Sequence, residues 1–270
     1  MAVKYPVPDR ELNEILNRLV DGIKPVLGPN FLGGYLGGSF AHGGWDVYSD
    51  VDFTIVIEEE LDPRILEDLK VVHARVFTIN HYWARHLEGS YFPRSVLSDL
   101  NRTNEPLWYL DNGSLNFERS MHDNTLVNRW VLREYGLILQ GPEPSIWIPR
   151  IPEIFLKAEV WWMMREWGGD ILSGAYRISS RFSQTFTVLN FCRMLYTLST
   201  GRVQSKQTGA AWARAILATK WVPLIDDALS ARVNQYQRVY DQADPGKIRD
   251  TRDFIRYALM EVKNLTGFQN

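Results

Sequence analysis

Gly38-Ser39, followed after ten residues by Asp50-Val51-Asp52, constrains this chain more than any other feature. Tyr35-Leu36 before the turn and the run from Asp52 to Ile57 after the polar loop are apolar, so the segment reads as strand, turn, loop, strand. Carboxylates at i and i+2 of a strand point to one face. Two like charges held together repel unless a cation lies between them. Hard carboxylate oxygens suit Mg²⁺, which takes one or two such ligands together with substrate phosphates. A glycine turn lets backbone N–H groups approach an anion, and the Ser39 hydroxyl adds a donor. The pattern points to a metal-bound nucleoside triphosphate.

The 270 residues suffice for one large domain or two ordinary ones, and 45% hydrophobic with 23% charged residues is a globular balance. No apolar run approaches the ~20 residues that span a bilayer. The first residues, Met1-Ala2-Val3-Lys4-Tyr5-Pro6, lack the apolar core of a signal peptide. Cys192 is the only cysteine, which excludes an intramolecular disulfide or a cysteine zinc cluster, and its apolar helical surroundings mark it as a core residue. A cytoplasmic protein without membrane partners is the expectation. Residues 1–150 hold 14 Lys/Arg against 21 Asp/Glu, whereas residues 151–270 hold 16 against 11. Neither half is basic enough for a nucleic-acid surface. The asymmetry suits a cleft with a cation on one side and phosphates on the other, and equally two ordinary domains that attract each other.

Apolar spacing predicts a helix over 11–26, strands at 35–36 and 52–57, a helix from Asp62-Pro63-Arg64 to about Val76, and strands over 86–92 and 107–110. Gly141-Pro142-Glu143-Pro144 reads as a linker. Beyond it the pattern predicts helices over 152–167, 181–200, 205–219, 223–242 and 247–265, with Ser205 as an N-cap and Gly201 as a stop. The expected architecture is α+β: a catalytic domain with a mixed sheet over 1–143, then an α-helical bundle over 144–270, with the site in the cleft between them.

The Gly-Ser/Asp-x-Asp element resembles that of the nucleotidyltransferase superfamily. The stretches Val188 to Thr197, Thr200-Gly201-Arg202-Val203, Ser205-Lys206, Ala210-Ala211-Trp212-Ala213 and Pro223-Leu224-Ile225 are similar to the helical domain of aminoglycoside adenylyltransferases. The likeness is to the spectinomycin/streptomycin type, which acts at a 3″ or 9 hydroxyl, and it covers nearly the whole chain in order. It implies transfer of AMP from ATP to an antibiotic hydroxyl, with Mg²⁺ required and pyrophosphate released. By this resemblance Asp50 and Asp52 hold Mg²⁺, Gly38 and Ser39 form the phosphate turn, Ser49 lies beside the triphosphate, and Glu88 is the general base. Arg193 and Lys206 match basic residues that reach the nucleotide, and Tyr257 matches a tyrosine near the base. In the family an acidic residue near the start of the helix after residue 121 also approaches the nucleotide. Asp123 is chosen for it, with His122 and Asn124 as alternatives.

The chemistry agrees with these roles. A hydroxyl is a poor nucleophile until a base takes its proton. Metal and cationic side chains offset charge on the transferred group and the leaving pyrophosphate. Read from the residues alone, Glu88 is equally a solvated strand residue, Arg193 an interdomain ion-pair partner and Lys206 a solvated first-turn residue. In streptomycin-modifying members an acidic residue stands ten positions before the arginine, where this chain has Ser183, and a drug-stacking tryptophan falls at Phe117. Loss of a carboxylate that pairs with a cationic drug weakens binding by about 1–3 kcal/mol, so a spectinomycin-like acceptor is favoured. The competing readings are a non-drug acceptor and a non-catalytic nucleotide-binding module. A monomer is expected. The tryptophans, Trp161-Trp162 among them, read mainly as core, His42 as a loop residue and Glu58-Glu59-Glu60 as a solvated strand end.

Overall fold

The computed structural model describes residues 7–47, 49–232 and 237–266. They divide into two compact units, the first within Met1–Trp45 and Ser49–Ile151, the second within Asp46–Tyr48 and Pro152–Asn270.

In the first unit the elements are α1 (Arg10–Leu27), β1 (Phe31–Leu36), the single turn α2 (Gly38–Ala41), β2 (Val51–Ile57), α3 (Pro63–Phe77), β3 (Leu87–Pro93), the single turn α4 (Arg94–Leu97), β4 (Leu107–Leu110), β5 (Phe117–Ser120), α5 (Leu126–Tyr135) and β6 (Leu137–Gln140). The strands form one mixed sheet in the order β5-β4-β3-β2-β1-β6. Among the described residues only β2 and β3 run parallel, joined by the crossover through α3. α1 and α3 begin at side-chain caps: Asp9 accepts from the Leu12 N–H, and Asp62 accepts from the Arg64 N–H with Pro63 next to it.

The period-2 alternation of the central strands sorts their side chains. Phe53, Ile55 and Ile57 of β2 and Leu87 and Tyr91 of β3 share a core with Leu12, Leu16, Leu19 and Ile23 of α1 and Leu69 and Val76 of α3. Asp52, Thr54, Glu88 and Ser90 take the intervening positions and therefore the opposite face. Under the helices, His73 Nε2 and the Tyr91 hydroxyl lie 2.8 Å apart, and burial holds the imidazole neutral with a pKa pushed down to about 3. Phe117 meets His73 and Tyr91 edge to face, at 5.4 and 5.5 Å between centroids. It therefore lies on the helix-covered face and not on the Glu88 face.

The second unit contains α6 (Glu153–Ser173), α7 (Arg181–Thr200), α8 (Lys206–Ile216), α9 (Val222–Ser230) and α10 (Pro245–Thr266). α7 is central: Val188, Phe191, Cys192 and Leu195 are buried, as are Phe254 and Ile255 of α10. Cys192 is a core residue, its thiol pushed up to about 12 by burial. Ser180 and Ser183 close a reciprocal capping box at the start of α7.

Several expectations needed correction. α6 runs through Gly168-Gly169 to Gly174 because a Cβ at Gly168 would lie 3.3–3.4 Å from Ile255, Leu259 and Phe191; the glycine serves close packing rather than a stop. The helix predicted over 223–242 ends at Ser230. Residues 233–236 lie outside the described residues. Beyond them the chain is held by an Arg181 N–H bond to Asp241 O and an Ala243 N–H bond to Ser179 O, tertiary pairings that override helical spacing. α8 stops at Ile216, before an extended Leu217. β5 and β6 were not foreseen, while α5 is the helix that the resemblance implied after residue 121. The Gly141–Pro144 stretch is tied into the first unit, where Tyr35 donates to Pro142 O and Trp147 Nε1 donates to the Tyr35 hydroxyl.

His73 gives a test. Its folded pKa lies below the unfolded 6.5, so the stability it contributes is present above pH 6.5 and is lost as pH falls toward about 3. In urea titrations the stability gap between wild type and His73→Leu should narrow below pH 6.5, by at most ~1.4 kcal/mol per pH unit.

Candidate functional site

The outer face of β2 and β3 carries the first constellation. The parallel register sets Asp52 directly beside Glu88 and Thr54 beside Ser90. Parallel partners lie about 4.8 Å apart and present their side chains to the same face. Asp50 precedes the first residue of β2 and shares the parity of Asp52. Asp52 and Glu88 thus belong to one face of one strand pair, and Asp50 stands just before it.

The Gly-Ser turn closes over this face. The Gly37 N–H donates to Asp52 O at 2.7 Å, fixing the loop to the strand. Gly38 has φ +52°, and a Cβ placed on it would lie 1.7 Å from Asp52 Oδ2. Only glycine tolerates both the backbone and the proximity. The turn continues into α2, whose leading N–H groups, those of Gly38 and Ser39 among them, have no acceptors within the helix. Ser49 is buried beside Asp50 in sequence. A cavity of about 50 Å³ is lined by Gly37, Gly38, Asp52, Asp123, Asn128 and Arg129, joining the turn to the loop before α5. The larger cavity, about 560 Å³, lies between α1 and α3 among Arg18, Asp21, Val71 and Arg75 and contains none of the predicted site residues.

Donors surround the carboxylates. The Tyr109 hydroxyl donates to Glu88 Oε1 at 2.5 Å, and His122 Nε2 lies 3.3 Å from the same oxygen. The hydrogen bond to Glu88 raises the His122 pKa to about 9, against the effect of burial, so the ring is cationic at neutral pH. Ser90 donates to Asp123 Oδ2 at 2.7 Å, and burial pushes the Asp123 carboxyl up to about 6. Asn112 Nδ2 donates to Asp50 Oδ1 at 2.7 Å, while Asn112 Oδ1 lies 2.8 Å from His86 Nδ1. The amide oxygen can only accept, so His86 carries its proton on Nδ1.

Two groups are candidates for holding a metal. Ligand atoms of Glu88, His122 and Asp123 lie within 4.8 Å of one another. Within that trio the cationic His122 ring pairs with Glu88. Asp50 and Asp52 offer two hard carboxylates next to a cradle that a Cβ would fill, which is a donor set fitted to Mg²⁺ and phosphate oxygens.

Behind the loop, Arg129 is 1% exposed. Its guanidinium donates to Asn124 Oδ1 at 3.1 and 2.6 Å, to Asp99 O at 2.8 Å and to Arg102 O at 3.1 Å. Asn124 in turn donates to Arg102 O and Glu105 O, both at 2.9 Å. Of the three candidates near position 121, Asn124 is therefore a scaffold residue, whereas His122 and Asp123 both face the carboxylates.

In the second unit, Arg193 donates to Asn190 Oδ1 at 2.9 Å, and Lys206 Nζ lies 4.4 Å from the centre of the Phe186 ring. Phe186, Asn190 and Arg193 share one face of α7 by their i, i+4, i+7 spacing. A Cβ at Gly209 would lie 2.8 Å from Arg193 Cα, so α8 packs tightly there and carries Lys206 along the same face. Tyr257 is placed differently. Its hydroxyl accepts from the Ala218 N–H at 3.4 Å and its ring meets Trp221 at 5.4 Å, neither of which is a predicted site residue. Ser183 is occupied by the capping box, with its N–H bonded to Ser180 Oγ at 3.1 Å.

The sequence reading missed Tyr109, Asn112, His86 and Ser90. Tyr109 has a signal, since strand alternation puts it on one face of β4. Asn112 has none, because it reaches Asp50 across 62 residues of chain.

Residues 151–258 match the family model described as "Aminoglycoside adenylyltransferase, C-terminal domain". The chain is 23% identical over 288 residues to an aminoglycoside (3'') (9) adenylyltransferase of Shigella flexneri, covering 95% of this chain and 97% of that one. It is 24% identical over 218 residues to a spectinomycin 9-adenylyltransferase of Staphylococcus aureus, covering 76% and 79%. Its fold matches the crystal structure of a spectinomycin adenyltransferase from Enterococcus faecialis with ATP and spectinomycin, at a TM-score of 0.67 and 16% identity over 93% of this chain and 98% of that one.

The paired groups give two tests. The His122 ring should titrate near pH 9 by NMR and return toward 6.5 in Glu88→Gln. Because its folded value is raised, the stabilisation from this pair is complete below pH 6.5 and is lost as pH rises through about 9. Arg129→Lys should lower stability to chemical denaturation by about 2–4 kcal/mol, since an ammonium cannot span the oxygens that the planar fork reaches.

Proposed function

We propose that this chain, which belongs to the aminoglycoside adenylyltransferase family, transfers AMP from ATP to a hydroxyl of an aminoglycoside-type antibiotic, with Mg²⁺ bound and pyrophosphate released. The observation that carries the reading is Glu88 beside Asp52 in the parallel register, under the turn that only Gly38 can make.

The roles follow from the chemistry of each group. Gly38, Ser39 and Ser49 receive the triphosphate, by backbone N–H groups and hydroxyls. Asp50 and Asp52 hold Mg²⁺, which when bound offsets charge on the phosphates. Asn112 orients Asp50 through its amide. Glu88 accepts the proton of the acceptor hydroxyl as the new O–P bond forms, because a neutral hydroxyl is too weak a nucleophile. Asp123 serves the nucleotide, anchored by Ser90. Arg193 and Lys206 are cations suited to the leaving pyrophosphate. Tyr257 is assigned to the nucleotide base on the family resemblance alone.

The acceptor we assign is spectinomycin-like rather than streptomycin. Ser183 provides no carboxylate for a cationic drug, and its hydroxyl is engaged at the N-terminus of α7. Phe117 lies under α3 with His73, where it cannot stack on an acceptor at the Glu88 face.

Purified protein with ATP and Mg²⁺ should release pyrophosphate with spectinomycin at least tenfold faster than with streptomycin, read by a coupled phosphate assay and by mass of the adenylylated drug. Absence of adenylylated product across a broad aminoglycoside panel would refute the drug assignment. Asp52→Asn should lower turnover by about a thousandfold while the thermal midpoint is kept, in line with removal of a group that acts on the transition state. Gly38→Ala should lower it at least tenfold, because the added methyl displaces Asp52.

A further inference from the structure

The family roles leave a buried tyrosine on the site face with no assigned part. β4 pairs antiparallel with β3, and Tyr109 stands opposite Ser90, so it shares the face of Ser90 and Glu88. Its side chain runs diagonally along the sheet to the next same-face position and donates to Glu88 Oε1 at 2.5 Å. Asp111, two residues on and on the same parity, offers a second acceptor at 3.2 Å. A phenol has one proton, which goes to the nearer oxygen, that of Glu88. Tyr109 is 3% exposed, so water does not compete for that bond. Its ring meets the His122 ring at 5.5 Å between centroids, and His122 Nε2 approaches the same Glu88 oxygen at 3.3 Å.

Two donors from two different elements, β4 and the loop before α5, therefore converge on one oxygen of one carboxylate. This restricts the rotation of a side chain that has three torsions and that otherwise samples several rotamers beside the like-charged Asp52. We propose that Tyr109 is a positioning residue that holds Glu88 through Oε1 in the orientation from which it receives the acceptor proton. The inference rests on the reading of Glu88 as the base. Burial and the carboxylates around it push the phenol pKa far upward, which keeps Tyr109 a donor throughout the working pH range. A proton acceptor must sit within hydrogen-bond reach of the hydroxyl in the reacting complex, and small misplacements of such a group cost orders of magnitude in rate.

Tyr109→Phe keeps the ring and removes only the donor. Turnover of this variant should fall by roughly one to two orders of magnitude, with KM for ATP and for spectinomycin within twofold of wild type and the thermal midpoint within a few degrees. In a Glu88→Gln background the same substitution should change turnover by less than twofold, because the group it orients is gone. A purely structural tyrosine gives the opposite pattern: equal losses in both backgrounds, with KM or the midpoint moving as well. That pattern, or unchanged turnover in Tyr109→Phe, overturns the assignment while wild-type transfer stands. A wild-type protein that transfers AMP to no acceptor overturns the base role itself, and the positioning role with it.

Discussion

Everything at the site depends on one register: β2 and β3 pair in parallel, with Asp52 opposite Glu88. A slip of one residue would send Glu88 to the helix-covered face, because side chains alternate with period 2. The register is held from the other side. Phe53, Ile55, Ile57, Leu87 and Tyr91 lock into the core with α1 and α3 and are fully or almost fully buried. The apolar face thus fixes where the charged face presents its groups.

Placing two carboxylates side by side is unfavourable unless something offsets the repulsion. The protein answers on two sides. At Glu88 the offset is internal, from the Tyr109 hydroxyl and the cationic His122 ring. At Asp50 it comes from the Asn112 amide, and Asp50 and Asp52 beside the glycine turn offer hard oxygens suited to a divalent cation. Carboxylates that the sheet brings together are thereby given different surroundings, Glu88 hydrogen-bonded to donors and Asp52 set beside the glycine turn.

Arg129 and Asn124 show how the loop before α5 is made rigid enough for this. A buried guanidinium that donates to backbone carbonyls and one amide oxygen fixes the turn. The turn then presents His122 and Asp123 toward the strands. The capping box of α7 likewise commits its serines to local structure, Ser180 and Ser183 satisfying backbone groups at the N-terminus of the helix.

The amino-acid order by itself determined the two-part α+β and helical architecture, the carboxylate pair and the glycine turn, because these are signals of local spacing: period 2, period 3.6, caps, and an i, i+2 pair; the third carboxylate, Glu88, came from the family resemblance and not from spacing. β5 and β6 escaped it because each is four residues long and only half-buried, too short for alternation to stand out. The helix read across 223–242 failed because pairing with residues 179 and 181 outweighed local propensity. The donors around the carboxylates were decided by tertiary structure alone. Tyr109 meets Glu88 across 21 residues, Ser90 meets Asp123 across 33 and Asn112 meets Asp50 across 62. No pattern within one element encodes those distances; they exist because sheet pairing brings separate strands and loops to a common face.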